Sequence, residues 1–216
     1  MPRIAPNMPK RLAVAALELF GRSGINNVTV EQIAAHAGVT KGSFYSHYRS
    51  KHEIILAACT HYYQSHLRRL HAQTSRLTSP LQRLRRALEL SIRICVADER
   101  NRVFTSELFA LSLHDKAVRE SWSQFYNAVR EMLVGLASAA QAEGELNGLN
   151  PRVSVDLLLA AIEGVKLRAG FEPHVADPAE QQAIVDEMMQ YLCSSRQSGP
   201  AGGTVKGANS GSCRRE

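Results

Sequence analysis

Three features of the 216-residue chain predict an all-α fold. Apolar residues recur at i, i+3, i+4 and i+7 over long stretches, which is the spacing of one buried helical face. Capping residues stand directly before a proline at Ser79-Pro80, Asn150-Pro151 and Asp177-Pro178, and a first-turn proline gives up no helical hydrogen bond. Strand-type alternation never runs beyond about four residues. The hydrophobic content of 44% suffices for a sizeable core and is too high for a disordered chain.

The first helix is expected to start near Pro9 and end at Gly24, burying Leu12, Ala15, Ala16, Leu19 and Phe20. Thr29-Val30-Glu31-Gln32 has the form of a capping box opening a second helix, whose Val30, Ile33, Ala34 and Ala37 face inward. Gly38 makes the turn, since a left-handed conformation costs glycine little, Val39 plugs the corner and Thr40 caps a third helix. The stretch from Thr40 to Lys51 reads as a short amphipathic helix carrying hydroxyls, two phenols, an imidazole and lysines but no acid, a surface suited to a polyanion. Phe44 and Tyr48, four apart, can share the buried side.

Ser50-Lys51-His52-Glu53 reads as a second capping box. No glycine or proline follows until Pro80, so a fourth helix of about 25 residues is expected. Beyond it, Leu84, Leu88, Ile92 and Val96 mark one helix, Val103 to Leu113 a second, and Val118 to Ala142 a third that stops at Gly144. Residues 153–168 are densely apolar with small Ala160, Ala161 and Gly164, and Ile184, Val185, Met188, Met189 and Leu192 form a broad face in 179–193. Such a pair is expected to pack against a second copy of the chain. The polar composition after Ser194 predicts a disordered tail.

The net charge of +6 is uneven: residues 1–60 carry +4, residues 61–88 hold six arginines and no acid, and residues 89–195 carry −7. A nucleic-acid footprint is therefore expected at the N-terminal end. The alternative is a helical interaction protein whose basic head binds an acidic membrane or protein surface. No apolar run approaches a membrane span and Met1 to Pro6 lacks a signal-peptide core, so a cytoplasmic protein is expected. Cys59, Cys95, Cys193 and Cys213 show no metal spacing; the first three are expected to pack as reduced thiols. No phosphate loop, nucleophile elbow or HExxH is present, and His61, His66 and His71, at intervals of five, diverge around a helix. No catalytic residue, metal or cofactor is assigned.

From about Pro6 to His66 the chain resembles the DNA-binding domain of the TetR family of transcriptional regulators. The resemblance rests on Ala16-Leu17-Glu18-Leu19-Phe20, Gly24, Thr29-Val30, Ile33-Ala34, Ala37-Gly38-Val39-Thr40-Lys41-Gly42-Ser43-Phe44-Tyr45, His47-Tyr48 and Ser50-Lys51. Glu163-Gly164 is similar to a feature of the family's dimerisation region. The resemblance implies a flexible N-terminus (1–5), a helix-turn-helix head (6–66, with the motif at about 29–48), a helical ligand-binding and dimerisation body (67–194) and a disordered tail (195–216). It further implies a homodimeric repressor released from a palindromic duplex-DNA operator by a small-molecule effector. Thr40, Lys41 and Ser43 are then candidates for base edges, with Gly42 allowing close approach. Thr29, Tyr45, His47 and Lys51 sit where the family places phosphate contacts. For the effector, Phe104, Phe109, Trp122, Phe125 and Tyr126 cluster near Glu107 and His114, a lining that suits a flat, apolar or cationic ligand.

Overall fold

The computed structural model describes residues 7–146 and 150–193, and every regular element among them is helical. In chain order these are α1 (Met8–Ser23), α2 (Val30–His36), α3 (Lys41–Tyr45), α4 (Lys51–Thr74), α5 (Pro80–Ile92), α6 (Glu99–Ser112), α7 (Lys116–Ala142), α8 (Pro151–Arg168) and α9 (Pro178–Cys193). A π-helical turn, Arg93–Ala97, continues α5, and a 3-10 turn, Pro173–Ala176, precedes α9. The expected flexible N-terminus and disordered tail, with Cys213, lie outside the described residues.

The helix starts follow the capping signals. Thr29 and Gln32 form the reciprocal box, the Thr29 hydroxyl accepting from the Gln32 N–H at 3.2 Å and the Gln32 side chain from the Thr29 N–H at 2.7 Å. Ser79 caps α5, and Asn150 caps α8 through the Arg152 and Val153 N–H groups. Gly24, Gly38 and Gly144 take positive φ at the reversals that end α1, α2 and α7.

Four local expectations are corrected. The third helix is only five residues long and ends at Tyr45: the Ser46 N–H and hydroxyl both donate to the Gly42 carbonyl, at 3.2 and 3.1 Å, and the His47 N–H then turns to Phe44 at 2.9 Å. Ser50 caps α4 through the Glu53 N–H, but the Glu53 carboxylate takes the Arg49 N–H at 2.7 Å instead of completing a box. Val96 keeps its buried place within the π turn, where the Asn101 and Arg102 side chains donate to the carbonyls of Ile94 and Val96. Cys193 is exposed, since it is the last residue of α9 and one step of about 100° past the buried Leu192.

One continuous core joins head to body. Phe20 of α1 stacks on Phe104 of α6 with ring centroids 6.3 Å apart, and Phe104 meets the edge of Tyr62 on α4 at 5.8 Å. Gly21 lets α1 and α6 touch: a Cβ there would lie 2.9 Å from both the Cβ and the carbonyl oxygen of Arg100. The fourth helix runs unbroken past residue 66 and so serves both parts.

Candidate nucleic-acid interface and interior cavity

Phe44, fully buried, seats α3 on the head, with Tyr45 at 5.3 Å and Tyr48 at 5.8 Å beside its ring. The Tyr48 hydroxyl donates to the Pro9 carbonyl at 3.0 Å, tying the turn after α3 to α1. Burial raises its pKa, so it remains a neutral donor. These two aromatics hold the helix, as the four-residue spacing suggests.

The eight candidate DNA-contact residues occupy the start of α2, all of α3, the turn after it and the first residue of α4. Thr29, Thr40, Lys41, Gly42 and Tyr45 are exposed, and Ser43, His47 and Lys51 half-buried. Thr29 and Thr40 each spend an oxygen lone pair on their helix cap, the latter accepting from the Ser43 N–H at 3.2 Å, and the Thr29 hydroxyl also donates to the Glu31 carboxylate. Lys51 donates to the Asn26 carbonyl at 3.3 Å, on the loop leading to Thr29. Lys41 lies 6.0 Å from the Tyr45 ring centre and forms an ion pair with Glu31 of α2. Their mutual hydrogen bond holds the Glu31 carboxyl below, and the Lys41 ammonium above, its ordinary range. An acid from α2 thus reaches into a surface whose own stretch has none.

The basic excess of residues 1–88 is partly structural. Arg11 donates to the Ala37 carbonyl at 2.8 Å, at the end of α2. Arg85 pairs with Glu89 and Asp186, and Arg86 with Glu89 at 3.1 Å. These arginines of the 61–88 run stabilise the body.

Of the residues expected to line an effector pocket, the structure gathers some and disperses others. Trp122, Phe125 and Tyr126 of α7 line an interior cavity of about 30 Å³, and Phe109 lies on an adjoining groove of about 690 Å³ that shares Trp122 and Tyr126. Phe104 is corrected to core, being wholly buried between Phe20 and Tyr62. Glu107 turns toward the head instead, accepting the Ile25 N–H just beyond Gly24. His114 is exposed in the turn between α6 and α7. A second head-to-body tie runs from His52 to Asp115 at 2.8 Å, Asp115 also capping α7 through the Val118 N–H at 3.1 Å.

The sequence reading missed other parts of the cavity lining, among them Tyr62 and His66 of α4, Ser91 of α5, Cys95 of the π turn, and Glu163 and Lys166 of α8. The available signal was a pair of charges three apart inside the densest apolar helix. Lys166 is only 7% exposed; its ammonium lies 2.5 Å from Glu163 and 5.6 Å from the centre of the Trp122 ring. Burial, helped by Arg69, pushes His66 down to about 4, so the ring is neutral near pH 7. His66 Nδ1 and Ser91 Oγ are buried without a hydrogen-bond partner. Burial also raises Cys59 to about 12 and Cys95 to about 11, leaving both as unreactive thiols. No group of three His, Cys, Asp or Glu among the described residues is placed to hold a metal ion, and no described helix is long and apolar enough to cross a membrane.

Comparison with known proteins is consistent in both halves. Residues 12–58 match the model of bacterial regulatory proteins of the tetR family, and residues 80–194 match that of the C-terminal region of BetI-type transcriptional repressors. The chain is 36% identical over 53 residues to the HTH-type transcriptional regulator YerO of Bacillus subtilis, a match spanning 24% of this chain and only 18% of the relative. It is 26% identical over 159 residues to the HTH-type transcriptional repressor BepR of Brucella suis, covering 71% of this chain and 76% of that one. Among solved structures, a TetR transcription regulator from Haloarcula marismortui superposes with a TM-score of 0.76 at 18% identity, covering 87% of this chain and 97% of the other. A chain described as a transcriptional regulator from Saccharomonospora viridis, solved with choline, gives a TM-score of 0.74 at 20% identity over 87% of this chain and 94% of that one. The two family models, laid on a helix-turn-helix head and a helical body, place this chain in the TetR family of DNA-binding transcriptional regulators.

Proposed function

We propose that the chain is a homodimeric repressor, working in the cytoplasm, that reads a palindromic operator through α3 and its neighbours and is released by a small molecule bound in the body. The observation that carries this reading is the set of exposed and half-buried donors from Thr29 to Lys51, presented on a head whose apolar side is fixed by Phe44. Thr40, Lys41 and Ser43 face the base edges, and Thr29, Tyr45, His47 and Lys51 hold phosphates. A Cβ at Gly42 would meet nothing closer than Thr40 Oγ1 at 3.8 Å, so internal packing does not require the glycine. Because glycine costs about 1 kcal/mol in a helix, close approach of DNA is the better reason for it.

Lys51→Ala is expected to weaken binding equally on different duplexes and to reduce the salt slope by about one unit; an unchanged slope removes Lys51 from the contacts. Glu31→Gln is expected to tighten DNA binding a few-fold by releasing Lys41 and removing an acid from the phosphate-facing surface, most clearly in low-salt titrations. Unchanged or weaker affinity would mean that the Glu31–Lys41 pair does not compete with DNA.

Dimerisation is supported by the exposed face of α8 and the turn after it. Val153, Leu157, Leu167 and Phe171 are each more than half exposed, and they follow one helical face with Ala160 and Gly164 between. A Cβ at Gly164 would meet no atom within 4 Å, so its own subunit supplies no packing reason for a glycine there. A small-residue break in an apolar stripe suits the close approach of a second copy.

Effector control is supported by the cavity and by the ties between body and head: Phe20 on Phe104, Ile25 on Glu107, and His52 on Asp115. A thermal-shift screen of small molecules, followed by gel shifts on DNA from the protein's own upstream region, tests the reading. A ligand that stabilises the protein and lowers DNA affinity supports it. A stabilising ligand without effect on DNA counts against ligand control, and absence of any sequence-dependent shift favours the acidic-surface binder.

A further inference from the structure

The interior cavity and the groove beside it share four lining residues, Trp122, Tyr126, Glu163 and Lys166, and the ion pair between the last two lies in that shared wall. At about 30 Å³ the inner space holds little more than a water or two. The groove on the other side of the shared wall measures about 690 Å³. The pair is lopsided: the Lys166 side chain is 6% exposed, whereas that of Glu163 is 39% exposed and already reaches the groove.

The surroundings suit a positive charge. Lys166 lies 5.6 Å from the Trp122 ring centre, and Arg130 lies 5.5 Å from the ring centre of Tyr126, so both groove-lining rings already face a cation. Arg130 is itself committed to Asp156 at 2.5 Å and Asn127 at 2.6 Å. Burial is the main reason that Tyr62, Cys95 and Tyr126 titrate high; Glu163 pushes all three further the same way, while Lys166 opposes it only at Cys95. The carboxylate is thus felt at both tyrosines, while at Cys95 the lysine outweighs it. Deeper in, His66 Nδ1 and Ser91 Oγ, on residues 3% and 4% exposed, lack hydrogen-bond partners, as expected where a polar ligand atom completes the site.

We propose that this site takes an organic cation, and that Lys166 is a tethered stand-in for it, expelled when the ligand's cationic group takes its place between Glu163 and Trp122. This rests on the reading of the body as an effector-binding domain. The exchange keeps the local charge constant. It replaces a strongly hydrated primary ammonium, costly to bury, with a weakly hydrated organic one, while the four-carbon stem of Lys166 lets its own charge reach water. An anionic ligand would meet Glu163, and a neutral one would leave Lys166 in place.

Trp122 is the only tryptophan of the chain, so its emission reports occupancy directly and independently of DNA. The full chain is titrated with phenyltrimethylammonium, its uncharged isostere tert-butylbenzene, and benzoate. Saturable binding of the cation in preference to the other two is expected. Lys166→Met, or Lys166→Gln if the first variant does not fold, should tighten the cation about tenfold or more, and Glu163→Gln should weaken it by about the same factor. Preference for benzoate or tert-butylbenzene, weaker cation binding in the folded Lys166 variants, or no saturable signal from any probe overturns the proposal. Gel shifts separate the two readings: intact sequence-dependent DNA binding without cation preference sinks only this inference, whereas cation binding without any DNA recognition sinks only the regulator.

Discussion

Phe104→Ala is expected to destabilise the protein by about 3–5 kcal/mol, the range for truncating a wholly buried phenylalanine, and to lower Tm by about 10 °C or more. The site cannot collapse easily. Phe104 is clamped between Phe20 of the head, at 6.3 Å, and Tyr62 of α4, at 5.8 Å, and each of those rings is fixed by its own helix. The cavity left behind would lie in the seam through which body and head touch, so the variant should also respond less to any releasing ligand. Thermal denaturation measures the first effect, and gel shifts with and without ligand the second. A loss below about 1 kcal/mol would mean that Phe104 is not the packed bridge described above.

Gly21→Ala sets two effects of opposite sign against each other. Alanine gains up to about 1 kcal/mol over glycine inside a helix. Against this, its Cβ would sit 2.9 Å from the Cβ and the carbonyl oxygen of Arg100, and the backbone of α6 cannot turn aside as a flexible side chain would. Overpacking of this kind costs about 1–3 kcal/mol, so a net loss of about 1–2 kcal/mol is expected. The relief available is a small separation of α1 from α6, which would alter the placement of α3 and lower DNA affinity. Denaturant unfolding should show a lower midpoint with an unchanged slope; a more stable variant would show that the seam has slack.

The head was legible in the sequence because its signals are local. Thr29 with Gln32, Thr40 with Ser43 and Ser50 with Glu53 each announce a helix start within four residues, and Phe44 with Tyr48 announces the side that is packed. The length of α3 was not legible, since it ends where the His47 N–H turns to the Phe44 carbonyl, a backbone change that no residue in the stretch announces. The cavity was half legible. Trp122, Phe125 and Tyr126 are neighbours in one helix, but their partners arrive from α4, α5 and α8 through packing that no local pattern encodes.

Helical period explains the misplaced residues. Phe104 and Glu107, three apart, share the face of α6 turned to the head, whereas Phe109, five past Phe104, is rotated about 140° from it and meets the groove. Proximity in sequence grouped what the helix separates. Glu163 was read only for dimerisation and Lys166 not at all, because a charged pair in an apolar helix reads equally well as a solvated edge, and only the 7% exposure of Lys166 distinguishes the two.

The central claim is that the head reads sequence with the first turn of α3, and selection from random duplex DNA tests it most directly. The wild-type protein should enrich a palindrome whose half-sites are centred one helical turn, about 10–10.5 base pairs, or a multiple of it apart, and Thr40→Ala or Lys41→Ala should change the bases selected within each half-site. Enrichment of no sequence, or the same consensus from the wild type and both variants, would contradict it.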